Sequence, residues 1–234
     1  MTTSTSPSSS ADPELADRLA AVRDRIAEAA RSAGRDPEEL TTIVVTKFHP
    51  ASLVRSLLDL GATEFGENRH QEARDKAAEL DGTAARWHFV GQLQGKKARQ
   101  VRAYADVVHS VDRPSLVDAL ADPAHPLDVF VQVNLTDDPG RGGVAPAELE
   151  ALVEHAEAAP GLRLLGLMAV APLDEEPARA FARLRELADR ARSIAPEARF
   201  LSAGMSADLE QAVAEGATHL RIGTAITGSR PVAG

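Results

Sequence analysis

A lysine closes the first strongly apolar run of the chain. Residues Thr41 to Thr46 are β-branched at every position, which reads as a strand of a parallel sheet covered on both faces; Lys47 follows it, and Pro50 stops the run. Two chemistries suit a lysine so placed. Its ammonium can snorkel along an apolar stem to water, or its amine, held out of bulk water, can attack an aldehyde and form a Schiff base. Near the far end of the chain, two turns carry glycine beside hydroxyl groups: Ser202-Ala203-Gly204-Met205-Ser206 and Arg221-Ile222-Gly223-Thr224-Ala225. Each leads from an apolar segment into a helical one, where free backbone N–H groups and the positive end of a helix dipole suit an anion. Singly, Ser206 reads as an N-cap and Gly223 as a turn glycine. Paired at one end of a sheet, the two turns favour a phosphate.

Composition narrows the partners. The chain has 234 residues, 44% of them hydrophobic and 26% charged, as in an ordinary globular protein with an ample core. Its net charge of −9 disfavours non-specific binding to nucleic acid or to an anionic membrane surface. The absence of cysteine excludes disulfides, thiolate metal sites and a cysteine nucleophile. The histidines are scattered without ligand spacing, so no metal site is expected. No apolar run approaches the roughly 20 residues of a membrane span and no signal-peptide core follows Met1, so a cytoplasmic protein is expected.

The elements that must position Lys47 and the two turns follow from periodicity. Residues 1–11, rich in Ser, Thr and Pro, read as a disordered tail. Asp12-Pro13-Glu14 opens a helix with an Asp N-cap and Pro at the first helical position, Leu15, Leu19, Val22 and Ile26 mark its apolar face, and Gly34 ends it. Strands are expected at 41–46, 63–66, 86–90, 106–111, 129–135, 164–170, 199–202 and 219–222. Helical segments separate them, including 69–80 and a basic stretch over 94–104. Eight strands alternating with helices predict a single (β/α)8 TIM barrel over 12–234, with an extra N-terminal helix; the length is close to the ~250 residues typical of that fold. An open doubly wound sheet would accommodate the same alternation.

In a barrel the ligand site forms at the carboxyl ends of the strands. Those ends carry Lys47, Glu67-Asn68, Gly91, His109-Ser110, Asn134, Met168, Ser202 to Ser206 and Gly223-Thr224. An amine on strand one facing a phosphate cup on strands seven and eight fits pyridoxal 5'-phosphate. Arg221 would reach the pyridine nitrogen and keep it unprotonated, leaving the ring a weak carbanion sink.

The same residues carry a resemblance. Val45-Thr46-Lys47, Phe65-Gly66-Glu67-Asn68 with Gln71-Glu72, Trp87-His88-Phe89-Val90-Gly91 with Leu93-Gln94, His109-Ser110-Val111-Asp112-Arg113, Gln132-Val133-Asn134, Gly166-Leu167-Met168, Leu201-Ser202 with Gly204-Met205-Ser206, and Arg221 to Ile226 occur in this order. Together they resemble the pyridoxal phosphate homeostasis proteins, whose fold is that of the alanine racemase N-terminal barrel. The resemblance implies that Lys47 carries pyridoxal 5'-phosphate as a Schiff base. It also implies that Ser206, Gly223 and Thr224 bind the phosphate, that Arg221 faces the ring nitrogen and that Asn68 lies at the cofactor's side. It implies a role in buffering and delivering the cofactor, with apo-enzymes as recipients and no established reaction, so no catalytic residue is assigned. Lys96, Arg141 and Ala203 depart from the family's usual Asn, Lys and Met.

The alternative is a pyridoxal-phosphate-dependent amino-acid racemase, which needs a base on each side of the ring. Lys47 would be one. The single tyrosine, Tyr104, is expected at the opposite mouth, and His88 and His109, near strand ends, read more readily as structural hydrogen-bonders. A phosphosugar-binding barrel enzyme is a further reading of the phosphate cup alone. The cluster Lys96-Lys97-Ala98-Arg99 with Arg102 reads as a solvated helix face or as a rim patch attracting the phosphorylated cofactor or an acidic partner. Nothing in the sequence demands more than a monomer.

Overall fold

Short segments, rich in β-branched residues at 41–45, 107–111 and 127–132 and mainly aromatic or aliphatic elsewhere, form eight parallel strands in the computed structural model, which describes residues 12–229. They are β1 (Thr41–Val45), β2 (Glu64–Glu67), β3 (Arg86–Phe89), β4 (Val107–Val111), β5 (Leu127–Gln132), β6 (Leu162–Met168), β7 (Phe200–Ser202) and β8 (His219–Ile222). They hydrogen-bond in chain order. β8 returns to β1 in the register Thr41↔His219 to Val44↔Ile222, which closes the barrel and removes the open sheet from consideration. The tail expected over 1–11 lies outside the described residues.

Nine helices surround the strands among the described residues: α1 (Pro13–Ser32), α2 (Ala51–Asp59), α3 (His70–Glu79), α4 (Ala98–Arg102), α5 (Pro114–Leu120), α6 (Leu149–Ala158), α7 (Pro177–Ile194), α8 (Leu209–Ala214) and α9 (Thr224–Thr227). The extra helix α1 begins as expected: Asp12 Oδ1 accepts from the Glu14 N–H at 3.1 Å, and Leu15, Leu19, Val22 and Ile26 are buried. It packs against α8 and α9, the helices that follow β7 and β8. The helix expected over 94–104 is instead a 3-10 turn, Gly95–Lys97, followed by the short α4. Four cations and a glycine in eleven residues leave too little apolar periodicity to sustain three turns there.

Two layers of core differ in chemistry. Between sheet and helices the packing is apolar, with Phe65, Trp87, Phe89, Leu116 and Phe181 in one continuous cluster. Inside the barrel the apolar part is small, Val107, Phe130 and Met168. There His88, His109, Ser202 and Arg221, from β3, β4, β7 and β8, meet one another and are almost wholly buried. A barrel interior filled with polar groups requires that each find a partner.

Candidate functional site

Strand register brings the expected residues to one mouth. Val44 pairs with Ile222, and Gly223 lies against Val45, where a Cβ would sit 3.7 Å from the Val45 Cβ and carbonyl oxygen. On the other side of β1, the Thr46 N–H donates to the Gly66 carbonyl at 3.0 Å; on the far side of β8, the Arg221 N–H donates to the Gly204 carbonyl at 2.9 Å. The order around the mouth is therefore Asn68, Lys47, Gly223-Thr224, then Gly204 to Ser206.

β1 ends at Val45, so Lys47 stands in the turn beyond it and is exposed. Of the two placements expected for the Lys47 side chain, the structure shows the one open to water; a buried lysine amine nearby belongs instead to Lys76 on α3. That side chain is 8% exposed; its Nζ donates to the Thr46 carbonyl at 2.8 Å and lies 2.5 Å from Glu67 Oε1, which also accepts from Thr46 Oγ1 at 2.7 Å. Burial pushes the Glu67 carboxyl up from its ordinary value, against the opposing pull of Lys76 and Thr46. This buried pair anchors the residue preceding Lys47. The following residue is held as well: the Phe48 N–H donates to Glu72 Oε2 at 3.1 Å, Arg69 pairs with Glu72, and its guanidinium lies 4.6 Å from the Phe48 ring centroid. Phe48 has φ +69°, a left-handed conformation rare for a bulky residue. The hint of this cluster in the sequence is a glutamate, Glu67, at the end of a short strand.

Asn68 follows β2 with its Oδ1 buried and without a partner among the described residues. Gly91 lets β3's following turn approach it, since a Cβ there would come within 2.3 Å of the Asn68 carbonyl. Asn134, at another strand end, is taken by its own loop: its amide donates to the Asp138 carbonyl at 2.8 Å and accepts from the Thr136 N–H at 2.9 Å.

The two late turns present unpaired donors. The Met205 N–H donates to Asp208 Oδ1 at 2.6 Å, which shapes the first turn. The N–H groups of Ser206 and Ala207, and of Gly223, Thr224 and Ala225, donate to no atom of the described residues. Helix α1 braces both turns. Arg25 donates to the Ser206 carbonyl at 2.8 Å while clamping Glu210 with two bonds, and Arg18 donates to the Ile226 carbonyl at 2.8 Å. Arg25→Ala should therefore loosen the Ser206 turn, costing about 1 kcal/mol of stability and, where this turn takes a phosphate as the sequence leads one to expect, weakening its retention severalfold. Equilibrium dialysis of the variant beside chemical unfolding checks both numbers.

Arg221, 5% exposed, lies below these turns. Its Nη1 donates to Ser202 Oγ at 2.7 Å and its Nη2 to the Ala169 carbonyl at 2.8 Å. Burial lowers its pKa to about 10, which leaves it a cation at neutral pH. An amine, five N–H donors and an amide oxygen without partners among the described residues, and a seated cation fit a phosphorylated aromatic aldehyde.

The profile of the alanine racemase N-terminal domain matches residues 18–231. The pyridoxal phosphate homeostasis protein of Pseudomonas aeruginosa PAO1 is 44% identical over 223 residues, covering 92% of this chain and 96% of that protein. Its counterpart in Escherichia coli K12 is 41% identical over 227 residues, covering 93% and 97%. The chain belongs to the pyridoxal phosphate homeostasis protein family. Among solved structures, PipY of Synechococcus elongatus with pyridoxal phosphate bound is 36% identical, with a TM-score of 0.81 over 92% of this chain and 100% of that one.

In this pyridoxal phosphate homeostasis family member, several groups lie away from the mouth. Tyr104 sits outside the barrel in the groove between α3 and α4; its ring stacks on His70 and its hydroxyl is buried. Lys96 is exposed on the 3-10 turn, whereas Arg102 leaves the expected cluster: it donates to the Leu120 and Asp122 carbonyls at 2.5 and 3.1 Å. No helix of the described residues is long and apolar enough to cross a membrane.

The interior histidines make stability sensitive to acid. Burial first, then His88, lowers the pKa of His219 to about 4, and burial holds His109 well below its ordinary value. The unfolded chain protonates these imidazoles near pH 6.5. The folded chain binds fewer protons between about 4 and 6.5, so their stabilisation is full above 6.5 and is lost as pH falls. For His219 this amounts to about 3 kcal/mol. His219→Asn should flatten the pH dependence of the urea midpoint between pH 7 and pH 4.5; an unchanged slope would refute the assignment.

Proposed function

We propose that this protein binds pyridoxal 5'-phosphate reversibly and holds it for delivery to apo-enzymes, with Lys47 as the covalent anchor. When bound, the cofactor supplies an aldehyde with which the Lys47 amine condenses, releasing one water. The free N–H groups at Ser206, Gly223 and Thr224, with the two hydroxyls, take the phosphate. Asn68 offers its amide to the side of the ring, and Arg221 faces the ring nitrogen. The observation that carries this reading is the gathering of these groups at one mouth, in a chain 36% identical to a protein whose structure holds pyridoxal phosphate.

Arg221 also bears on whether the protein is an enzyme. A guanidinium donates to the ring nitrogen but does not protonate it, so the residues here favour retention over stabilising a carbanion. Tyr104 lies outside the barrel, so it is not placed to act as a second base opposite Lys47. The reading is therefore of a cytoplasmic carrier rather than a racemase. Borohydride reduction of protein saturated with the cofactor, followed by peptide mass mapping, is expected to mark Lys47; an unmarked Lys47 would defeat the proposal. Mixing loaded protein with an apo-enzyme, beside free cofactor, tests delivery: activation faster than dissociation permits is the expected result. Lys96 and Lys97, replaced together by Gln, test whether the basic rim contributes to uptake.

A further inference from the structure

The barrel interior carries an unbroken hydrogen-bond chain from one mouth to the other. Arg221 Nη1 donates to Ser202 Oγ at 2.7 Å, and Ser202 Oγ lies 2.8 Å from His109 Nδ1. His109 Nε2 lies 2.9 Å from His88 Nδ1, and His88 Nε2 lies 2.5 Å from Glu64 Oε2. The chain crosses β8, β7, β4, β3 and β2 in turn. Ser202, His109 and His88 are each at most 1% exposed, whereas Glu64 opens β2 at the amino mouth with its side chain 22% exposed.

Both ends dictate the same direction. A guanidinium only donates, so Ser202 accepts from Arg221. Against burial, which acts the other way, the hydrogen bond from His88 and then Arg86, at 3.9 Å, hold the Glu64 carboxyl below its ordinary value, so at neutral pH it only accepts. His88 must then carry its hydrogen on Nε2 and accept at Nδ1; His109 carries its hydrogen on Nε2 and accepts at Nδ1 from the Ser202 hydroxyl. Every atom is satisfied with both rings neutral. Packing keeps the rings in place: His109 stacks on Phe130 at 4.5 Å between centroids, and the neighbouring His219 meets Phe130 edge-on and bonds Thr218 through Nδ1. The charged and titratable groups around the relay are thus Glu64, Arg86, His219 and Arg221, with Asp208 acting on Arg221. Reversing the chain would make His109 donate to Ser202 and leave the serine hydrogen without its acceptor in a sealed interior.

We propose that Glu64, His88, His109 and Ser202 are a positioning relay, in which a carboxylate at the amino mouth orients the hydrogen bonds that seat Arg221 beneath the cofactor at the opposite mouth. Its link to the cofactor rests on the proposed function; the relay itself does not. In cofactor-free protein labelled with 15N-histidine, long-range proton–nitrogen spectra at pH 7 should show both His88 and His109 as neutral Nε2–H tautomers. Glu64→Ala should mix the His88 tautomers and speed hydrogen exchange at the Arg221 guanidinium about tenfold, while Glu64→Gln, whose amide oxygen still accepts, should keep exchange within about twofold of the parent. In loaded protein the same pair should show faster pyridoxal phosphate dissociation for Glu64→Ala only. An Nδ1–H tautomer or an imidazolium at either ring in the parent protein would overturn the relay, as would Arg221 exchange indifferent to Glu64→Ala. Failure of the protein to bind pyridoxal phosphate would remove the proposed function while the cofactor-free measurements still decide the relay.

Discussion

Lys47→Ala is expected to give a correctly folded protein that stays colourless with pyridoxal 5'-phosphate. The side chain is exposed and lies beyond the end of β1, so its truncation removes little packing, and stability should stay within about 0.5 kcal/mol of the parent. Binding is a different matter. The proposed phosphate donors and Arg221 remain, but the proposed covalent anchor is gone, and on that reading retention should weaken by about two decades, or ~2.7 kcal/mol. Absorbance of the dialysed protein, with borohydride trapping in parallel, reads the loss directly. A variant that kept parental absorbance and retention would show that the amine is not the anchor. Comparison with Arg25→Ala, which disturbs the Ser206 turn and leaves Lys47 in place, then separates the two ends of the proposed site.

Lys76→Met should do the opposite, damaging the fold first. It leaves Glu67, 1% exposed, with a buried charge and no counter-ion, and breaking a buried pair in this way costs about 3–5 kcal/mol. The sign of its pH dependence follows from Glu67. A carboxyl whose folded pKa is already raised by burial would be raised further without the ammonium. The folded variant then binds more protons than the unfolded chain above the ordinary carboxylate value, so its stability falls as pH rises through that window and recovers toward acid. Urea unfolding at pH 5 and pH 8 should show the larger deficit at pH 8. The double variant Lys76→Met with Glu67→Gln should recover part of the loss, because no charge is then stranded. A deficit below about 1 kcal/mol at pH 8 would mean that the pair is not the anchor of the Thr46 turn.

The barrel itself was legible because its signal is local. β-branched runs, an Asp-Pro-Glu helix start and stops at Gly34, Gly61 and Gly216 each act over a few residues, and eight alternations leave few topologies. The local signal failed where charge density overrode periodicity, at the broken helix between Gly95 and Arg102. Lys47, Gly223 and Ser206 were legible for a related reason: in a parallel barrel, position along a strand is enough to name the mouth.

What the amino-acid order determined without help was therefore the set of strands, the mouth at which Lys47 and the two late turns gather, and the residue types offered there. The tertiary structure alone decided which polar groups meet across the interior. Glu64 and Arg221 are separated by more than half the chain, and α1 reaches the Ser206 turn through Arg25 from the other terminus. No periodicity encodes such pairings. They arise because closing the sheet brings β2, β3, β4, β7 and β8 around one sealed space, where each buried donor must find an acceptor or carry the full cost of losing water.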